Sequence, residues 1–254
     1  MLLAVDIGNT NVVLGLFDQT DLTAGARLST RSRLTSDEVG LLIDGFLRRE
    51  QVSPDKISKS IVGSVVPHLT GPFERAVEER FGNPPIHVSN EIKLPITIEI
   101  DRPSTLGADR IANGAGGYVL HGGPIIIVDM GTATTLDIIS EKGAYVGGVI
   151  MPGPETAMKS LSRGGAKLFE VRFEKPESAV GKSTAGALTS GMFYGTVGQI
   201  DYIIDRVLEE TKFQNCKVLA TGGLSHGLAE HSRHIAGIEE HLTLDGLRLI
   251  AEMN

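Results

Sequence analysis

The sequence predicts an α/β protein built from two similar lobes. Two observations carry the prediction. Strand-type and helix-type apolar patterns alternate along the 254 residues, and one strand–turn–strand motif occurs twice, half a chain apart. The first copy is Asp6-Ile7-Gly8-Asn9-Thr10, after the apolar run Leu2-Leu3-Ala4-Val5 and before Val12-Val13-Leu14-Gly15-Leu16-Phe17. The second is Asp129-Met130-Gly131-Thr132-Ala133-Thr134-Thr135, after Ile125-Ile126-Ile127-Val128 and before the β-type run Leu136-Asp137-Ile138-Ile139. Each reads as a strand, a tight glycine turn and a returning strand. The restart of this pattern sets the expected lobes at 1–120 and 121–254.

The remaining elements follow in order. Thr35-Ser36-Asp37-Glu38 has the spacing of a capping box, and Val39, Leu41-Leu42-Ile43 and Phe46-Leu47 continue as a helical apolar face. Ser60 to Val66 reads as a buried strand ended by Pro67, followed by a helix from about Pro72 to Phe81 that closes at Gly82. A further helix is expected from near Leu106 to Leu120, closed by Gly122-Gly123. Lys217-Val218-Leu219-Ala220 reads as a strand entering the turn Thr221-Gly222-Gly223 and a short helix.

The repeated turn has a chemical reading beside its structural one. Glycine lets backbone N–H groups approach an anion closely, hydroxyl and amide side chains add donors, and an aspartate at the strand end can hold a cation against that anion. Two such turns facing each other would clamp the phosphates of a nucleotide. A single copy would be an ordinary hairpin turn, since Asn and Gly are common there; the matched pair favours the phosphate reading. The duplication is approximate. Asp and Gly align between the copies, while the hydroxyls are displaced by a residue or two.

Composition excludes several classes. The net charge of −7 argues against a nucleic-acid partner, which calls for a basic stripe. The one cysteine, Cys216, precludes an internal disulfide framework and fits a reducing compartment. The first apolar run is broken by Asp6, and no long apolar segment suits a membrane, so a cytoplasmic protein is expected.

Three further segments carry possible chemistry. Leu106-Gly107-Ala108-Asp109-Arg110 opens a helix, where backbone N–H groups and the helix dipole attract anions. Arg110 could grip a carboxylate through its fork and Asp109 could accept a proton from a hydroxyl, although an Asp supporting its helix and a surface-paired Arg would leave the same trace. Gly181-Lys182-Ser183-Thr184 imitates the end of a Walker loop, but Pro176 occupies the required upstream glycine position. A substrate contact or helix cap at Ser183 or Thr184 fits better. The helix that follows carries Gly186, Gly191, Gly195 and Gly198 mostly along one side, suited either to close packing within the chain or to a subunit interface. In the Thr221-Gly222-Gly223 turn, bare backbone could admit an adenosine ring. His226, His231 and His234 have no matching Cys or carboxylate spacing for zinc and read as solvated histidines.

The ordered set of motifs resembles the type III pantothenate kinases. The Asp6 to Thr10 turn, Gly107-Ala108-Asp109-Arg110 and the Asp129 to Thr135 turn match that family in order and approximate spacing. So do Gly147-Gly148-Val149-Ile150-Met151-Pro152-Gly153, Gly181 to Thr184, Thr221-Gly222-Gly223 and Leu242-Thr243-Leu244-Asp245-Gly246-Leu247. The resemblance implies a duplicated ribonuclease-H-like fold of the actin and sugar-kinase superfamily, acting as a homodimer. It implies ATP-dependent phosphorylation of pantothenate, the first step towards coenzyme A.

By the same resemblance, Asp6, Ile7, Gly8, Asn9, Thr10, Asn11, Val12 and Val13 cradle the ATP phosphates, with Thr132 joining from the other lobe. Gly107, Ala108, Asp109 and Arg110 hold pantothenate, Asp109 is the general base, and Thr184 touches the substrate. Asp129 binds a potassium or ammonium ion. Magnesium accompanies ATP, with Asp6 beside it, because phosphoryl transfer relies on charge neutralisation and positioning.

One stretch departs from the family. Where its members carry Tyr-x-Asn-Pro, this chain has Ile100-Asp101-Arg102-Pro103, so Ile100 replaces a tyrosine expected to border pantothenate. Two other readings remain open: a kinase for a different small hydroxy acid, and a nucleotide-binding regulatory protein with the same fold. A base beside Arg110 favours catalysis, since a nucleotide sensor needs none.

Overall fold

Strand β1 (Leu2–Ile7) is apolar at nearly every position because both of its faces are covered. The computed structural model describes residues 1–31, 33–165 and 168–254. The chain divides into two compact units, Met1–Leu120 with His241–Asn254, and His121–Glu240.

In the first unit β1 pairs antiparallel with β2 (Asn11–Asp18), which pairs antiparallel with β3 (Asp21–Ser29). On its other side β1 runs parallel to β4 (Lys59–Ser64), and β4 parallel to β5 (Ile86–His87), giving the order β3-β2-β1-β4-β5. A two-residue strand, β6 (Thr97–Ile98), follows later in the chain.

Helices α1 (Ser36–Arg49) and α2 (Pro67–Phe81) cover one face of this sheet, where Val39, Ile43, Leu69 and Phe73 meet Leu3, Val5 and Ile7. Helices α3 (Ala108–His121) and α7 (Leu242–Met253) cover the other, with Ile111, Ala112, Leu244 and Leu247 packed on Ala4 and Ile61. The expected capping box is present: Glu38 N donates to Thr35 Oγ1 at 3.3 Å, and Thr35 N to Glu38 Oε2 at 2.8 Å.

Two boundaries differ from those read in the sequence. Helix α2 begins at Pro67, not near Pro72, and Pro72 lies inside it. Pro67 stands at the first turn, where its missing N–H costs nothing, so it opens the helix that was expected five residues later. The helix does end at Gly82, in the left-handed region at φ 78°. Residues 241–254, expected with the second lobe, pack within the first unit, because the apolar face of α7 (Leu244, Leu247, Ile250) completes the core on the α3 side of the sheet. There the backbones of α3 and α7 nearly touch. A Cβ on Gly246 would lie 1.9 Å from the Ala112 carbonyl oxygen, and one on Gly116 would lie 2.9 Å from that of Leu242.

The second unit repeats the topology. Its central strand β7 (Ile125–Met130) pairs antiparallel with β8 (Ala133–Ile139), which pairs antiparallel with β9 (Ala144–Pro152). On the other side β7 runs parallel to β10 (Lys217–Thr221), and β10 to β11 (Gly237–Ile238). Among the unit's own strands the order β9-β8-β7-β10-β11 thus repeats that of the first unit. Helices α4 (Pro154–Gly164), α5 (Thr184–Thr211) and α6 (Ser225–Leu228) complete it, with Phe193, Ile200 and Ile204 of α5 buried against Ile126, Val128 and Leu136.

Candidate active site

Asp6 and Asp129 hold the same position in the two units. Each is the penultimate residue of the central strand, with a hairpin partner on one side and a parallel crossover strand on the other. Asp6 lies opposite Val13 and Gly63, and Asp129 opposite Thr135 and Thr221. The carboxyl ends of parallel strands are where open α/β sheets bind ligands.

The turns after the two aspartates explain why their hydroxyls are displaced. In the first, β1 and β2 separate after the pair Ile7–Val12, and Gly8 N donates to Asn11 O at 2.9 Å. In the second, the last pair is Met130–Thr134, and Gly131 N donates to Ala133 O at 3.0 Å. The second loop is therefore one residue shorter.

The first turn is tied to its unit at both ends. Thr30 Oγ1 donates to Gly8 O at 2.7 Å, Thr30 N donates to Thr10 O at 2.8 Å, and Val65 N donates to Ile7 O at 3.0 Å. Asn9 and Thr10 are exposed, Gly8 and Asn11 are half-buried, Val12 is buried and Val13 is half-buried.

The second turn is held from α4: Thr156 Oγ1 and Gly153 N both donate to Thr132 O, at 2.7 and 3.1 Å. Thr132 itself remains exposed. Gly153 must be glycine, since a Cβ there would lie 2.2 Å from the Gly131 carbonyl oxygen.

Gly222 brings a third turn against Asp129. Its φ is +89°, and a Cβ on it would lie 2.4 Å from Asp129 Oδ1. Leu224 N donates to Met130 O at 3.1 Å, fixing the Thr221-Gly222-Gly223 turn beside the second aspartate. The sequence singled out this turn for its bare backbone but gave no sign that the backbone presses on Asp129. Oxygen donors of this kind, a carboxylate with hydroxyls and backbone nearby, suit a hard cation.

Asp109 stands in the first turn of α3. Gly107 O accepts the first helical bond from Ile111 N at 3.0 Å, and Arg110 N donates to Asp109 Oδ1 at 2.8 Å. Burial raises the Asp109 carboxyl above the ordinary aspartate value, outweighing the opposing pull of the Arg110 amide and of its charge. Gly107 is wedged into this arrangement: a Cβ on it would lie 2.5 Å from Asp109 Oδ1 and 3.2 Å from Val65 Cγ1. Ala108 is buried, Arg110 half-buried, and Ile100 half-buried in the segment before α3.

The Gly181–Thr184 segment caps α5. Ser183 is its N-cap and accepts from Gly186 N at 3.1 Å, while Thr184 begins the helix, exposed. Gly181 presses on that helix start, where a Cβ would lie 2.2 Å from Ala187 N. Further along α5, among the described residues, no atom beyond the helix's own backbone lies within 4 Å of a Cβ placed on Gly191, Gly195 or Gly198. Among the described residues, close packing does not account for these glycines. Tyr194 and Tyr202, 43% and 65% exposed, flank them.

The histidines read as solvated have carboxylate neighbours: His226 Nε2 lies 2.7 Å from Glu240 Oε1, His234 Nε2 lies 2.7 Å from Asp205 Oδ1, and His231 Nε2 lies 3.0 Å from Glu230 Oε1. No helix among the described residues is long and apolar enough to cross a membrane.

Two units of one topology, each carrying an aspartate and a glycine turn at the end of its central strand, define the duplicated ribonuclease-H-like fold of actin and the sugar kinases. The backbone is similar to that of a ROK family glucokinase from Streptomyces griseus, solved in complex with glucose and AMPPNP. Their TM-score is 0.56 at 12% identity, covering 99% of this chain and 98% of that one. Residues 2–206 match the family model for type III pantothenate kinase. Two relatives described as type III pantothenate kinases agree over nearly their whole length. One from Agathobacter rectalis is 39% identical over 98% of this chain and 96% of its own. One from Geotalea daltonii is 41% identical over 100% and 99%. The chain belongs to the type III pantothenate kinase family.

Proposed function

We infer that this protein phosphorylates pantothenate with ATP, giving 4'-phosphopantothenate and ADP in the first step of coenzyme A biosynthesis. The observation that carries the reading is the family match, with about 40% identity sustained across the whole chain. The primary hydroxyl oxygen of pantothenate attacks the γ-phosphorus, the bond from that phosphorus to the β–γ bridging oxygen breaks, and ADP leaves.

Asp109 accepts the hydroxyl proton. Its raised proton affinity, produced by burial, makes it a stronger base than an ordinary carboxylate. Gly107, Ala108 and Arg110 position pantothenate, Arg110 through its carboxylate. Thr184 and Ile100 border the same substrate, and Ile100 offers it an apolar contact in place of a hydroxyl.

Asp6 to Val13 and Thr132 bind the ATP phosphates. Magnesium, bound with ATP beside Asp6, supplies charge neutralisation for the transferring phosphoryl group. Asp129, with the Gly222 turn pressed against it, holds a potassium or ammonium ion. The glycine and tyrosine face of α5 pairs two copies into a homodimer, and the protein works in the cytoplasm.

Incubating the protein with ATP, magnesium, potassium and a panel of pantothenate-like alcohols, with mass-spectrometric detection, tests the reading. Phosphopantothenate should be the dominant product. Selective phosphorylation of another hydroxy acid would reassign the substrate, and the absence of any phosphorylated product would favour a nucleotide-binding regulator.

A further inference from the structure

Val65 touches both loops to which the reaction has been assigned within the first unit. Its amide donates to Ile7 O at 3.0 Å, immediately before Gly8 of the first aspartate turn. Its side chain reaches the other way, with Cγ1 3.2 Å from the point where a Cβ on Gly107 would lie, just before the helix that carries Asp109.

The backbone presenting Val65 is fixed on both sides. Ser64 Oγ accepts from Val66 N at 3.2 Å and from Thr70 Oγ1 at 2.8 Å, and Leu69 N donates to Val66 O at 2.9 Å as α2 begins. Val65 is also stiff in itself, since a β-branched side chain has few χ1 rotamers. A stiff side chain on a fixed backbone can act as a spacer. Gly107 is crowded on the side that faces Val65, where a Cβ on it would also lie 2.5 Å from Asp109 Oδ1.

We propose that Val65 is a positioning residue for phosphoryl transfer, setting the Gly107–Asp109 loop at its working distance from the phosphate-binding turn at Asp6–Gly8. The proposal rests on the reading of Asp109 as the base. It does not require Val65 to touch either substrate. Removing its two methyl groups would let the Gly107 loop drift towards the gap, and misplacement by about 1 Å can cost of the order of 100-fold in rate.

Three variants, assayed with ATP and pantothenate, test it. Val65→Ala should lower kcat by roughly 10–100-fold, with the KM for ATP unchanged because the hydrogen bond from its amide to Ile7 O is kept. Val65→Thr, which has nearly the same shape, should recover most of that kcat. Melting temperatures identify any loss that comes from unfolding. Asp109→Asn separates the two claims. If Asp109→Asn is inactive and Val65→Ala turns over like the wild type, the positioning role is refuted and the base stands. If Asp109→Asn retains near-normal turnover, the base reading fails first. Equal losses in Val65→Ala and Val65→Thr would also overturn the proposal, because shape would then not be the property at work.

Discussion

Gly222 and Asp129 stand closer than any side chain at position 222 would allow, with the site of a Cβ 2.4 Å from Asp129 Oδ1 and the glycine at φ +89°. Backbone from the turn after β10 and carboxylate from β7 therefore share one small space, which no sequence spacing reveals because the two residues lie far apart along the chain.

The first prediction follows from that contact. Gly222→Ala places a methyl group against the carboxylate and strains the backbone by about 1–3 kcal/mol. Wild-type rates should rise when potassium or ammonium replaces sodium at constant ionic strength, and Gly222→Ala should flatten that dependence, as should Asp129→Ala. Full potassium activation in both variants would remove the cation from this turn.

Asp109→Asn should lower turnover by roughly 10²–10⁴-fold, the usual range for loss of a general base. It should also stabilise the fold at neutral pH. Because burial raises the proton affinity of Asp109, folding favours its protonated form. That favourable contribution is complete below the unfolded value, about 4, and is lost as pH rises through the higher folded value. Asparagine never ionises, so its stability advantage should be present at pH 7 and vanish near pH 3. Wild-type kcat/KM should fall on the acid side with a midpoint above the ordinary aspartate range. Thermal melts across pH, beside a pH–rate profile, check both signs.

Ser183 and Thr184 should separate by role. Ser183→Ala removes the cap on Gly186 N and should cost about 1 kcal/mol of stability, leaving the KM for pantothenate nearly unchanged. Thr184→Val should do the reverse, raising that KM with little change in melting temperature. A KM effect confined to Ser183→Ala would exchange the two assignments.

Gly191→Leu tests the exposed face of α5. Among the described residues nothing lies within 4 Å of a Cβ at this position beyond its own helix, so the substitution should leave the fold of a single chain intact. Sedimentation should show the wild type as a dimer and the variant as a folded monomer. A variant that stays dimeric at the same concentrations would move the interface elsewhere.

The paired turns were legible because an aspartate and a glycine at the end of an apolar run leave a chemical signature, and the duplicated topology follows from it. The capping box at Thr35 and the glycine stop at Gly82 were legible for the same reason: local bonds demand particular residues. The start of α2 was misread because Pro72 is as good a helix opener as Pro67, and only the bonds from Leu69 and Thr70 to Val66 O decide between them. Contacts between distant segments, such as Val65 on Gly107 or Gly222 on Asp129, carry no local signature. The α5 glycines were recognised, but what they face depends on exposure, which periodicity alone did not resolve.

The return of α7 to the first unit has a consequence for synthesis. A ribosome that has released residues 1–120 has made every strand of the first sheet, yet Ala4, Ile61, Ile111 and Ala112 still await Leu244 and Leu247. All of His121–Glu240 must be translated before that cover arrives, a delay of roughly 6–24 s at ordinary elongation rates. Throughout that interval the nascent first unit presents an apolar face, and chaperone demand should concentrate there. A stop codon just before His241 would make the exposure permanent, so its product should be selectively bound by chaperones and degraded although it retains Asp6, Asp109 and Asp129.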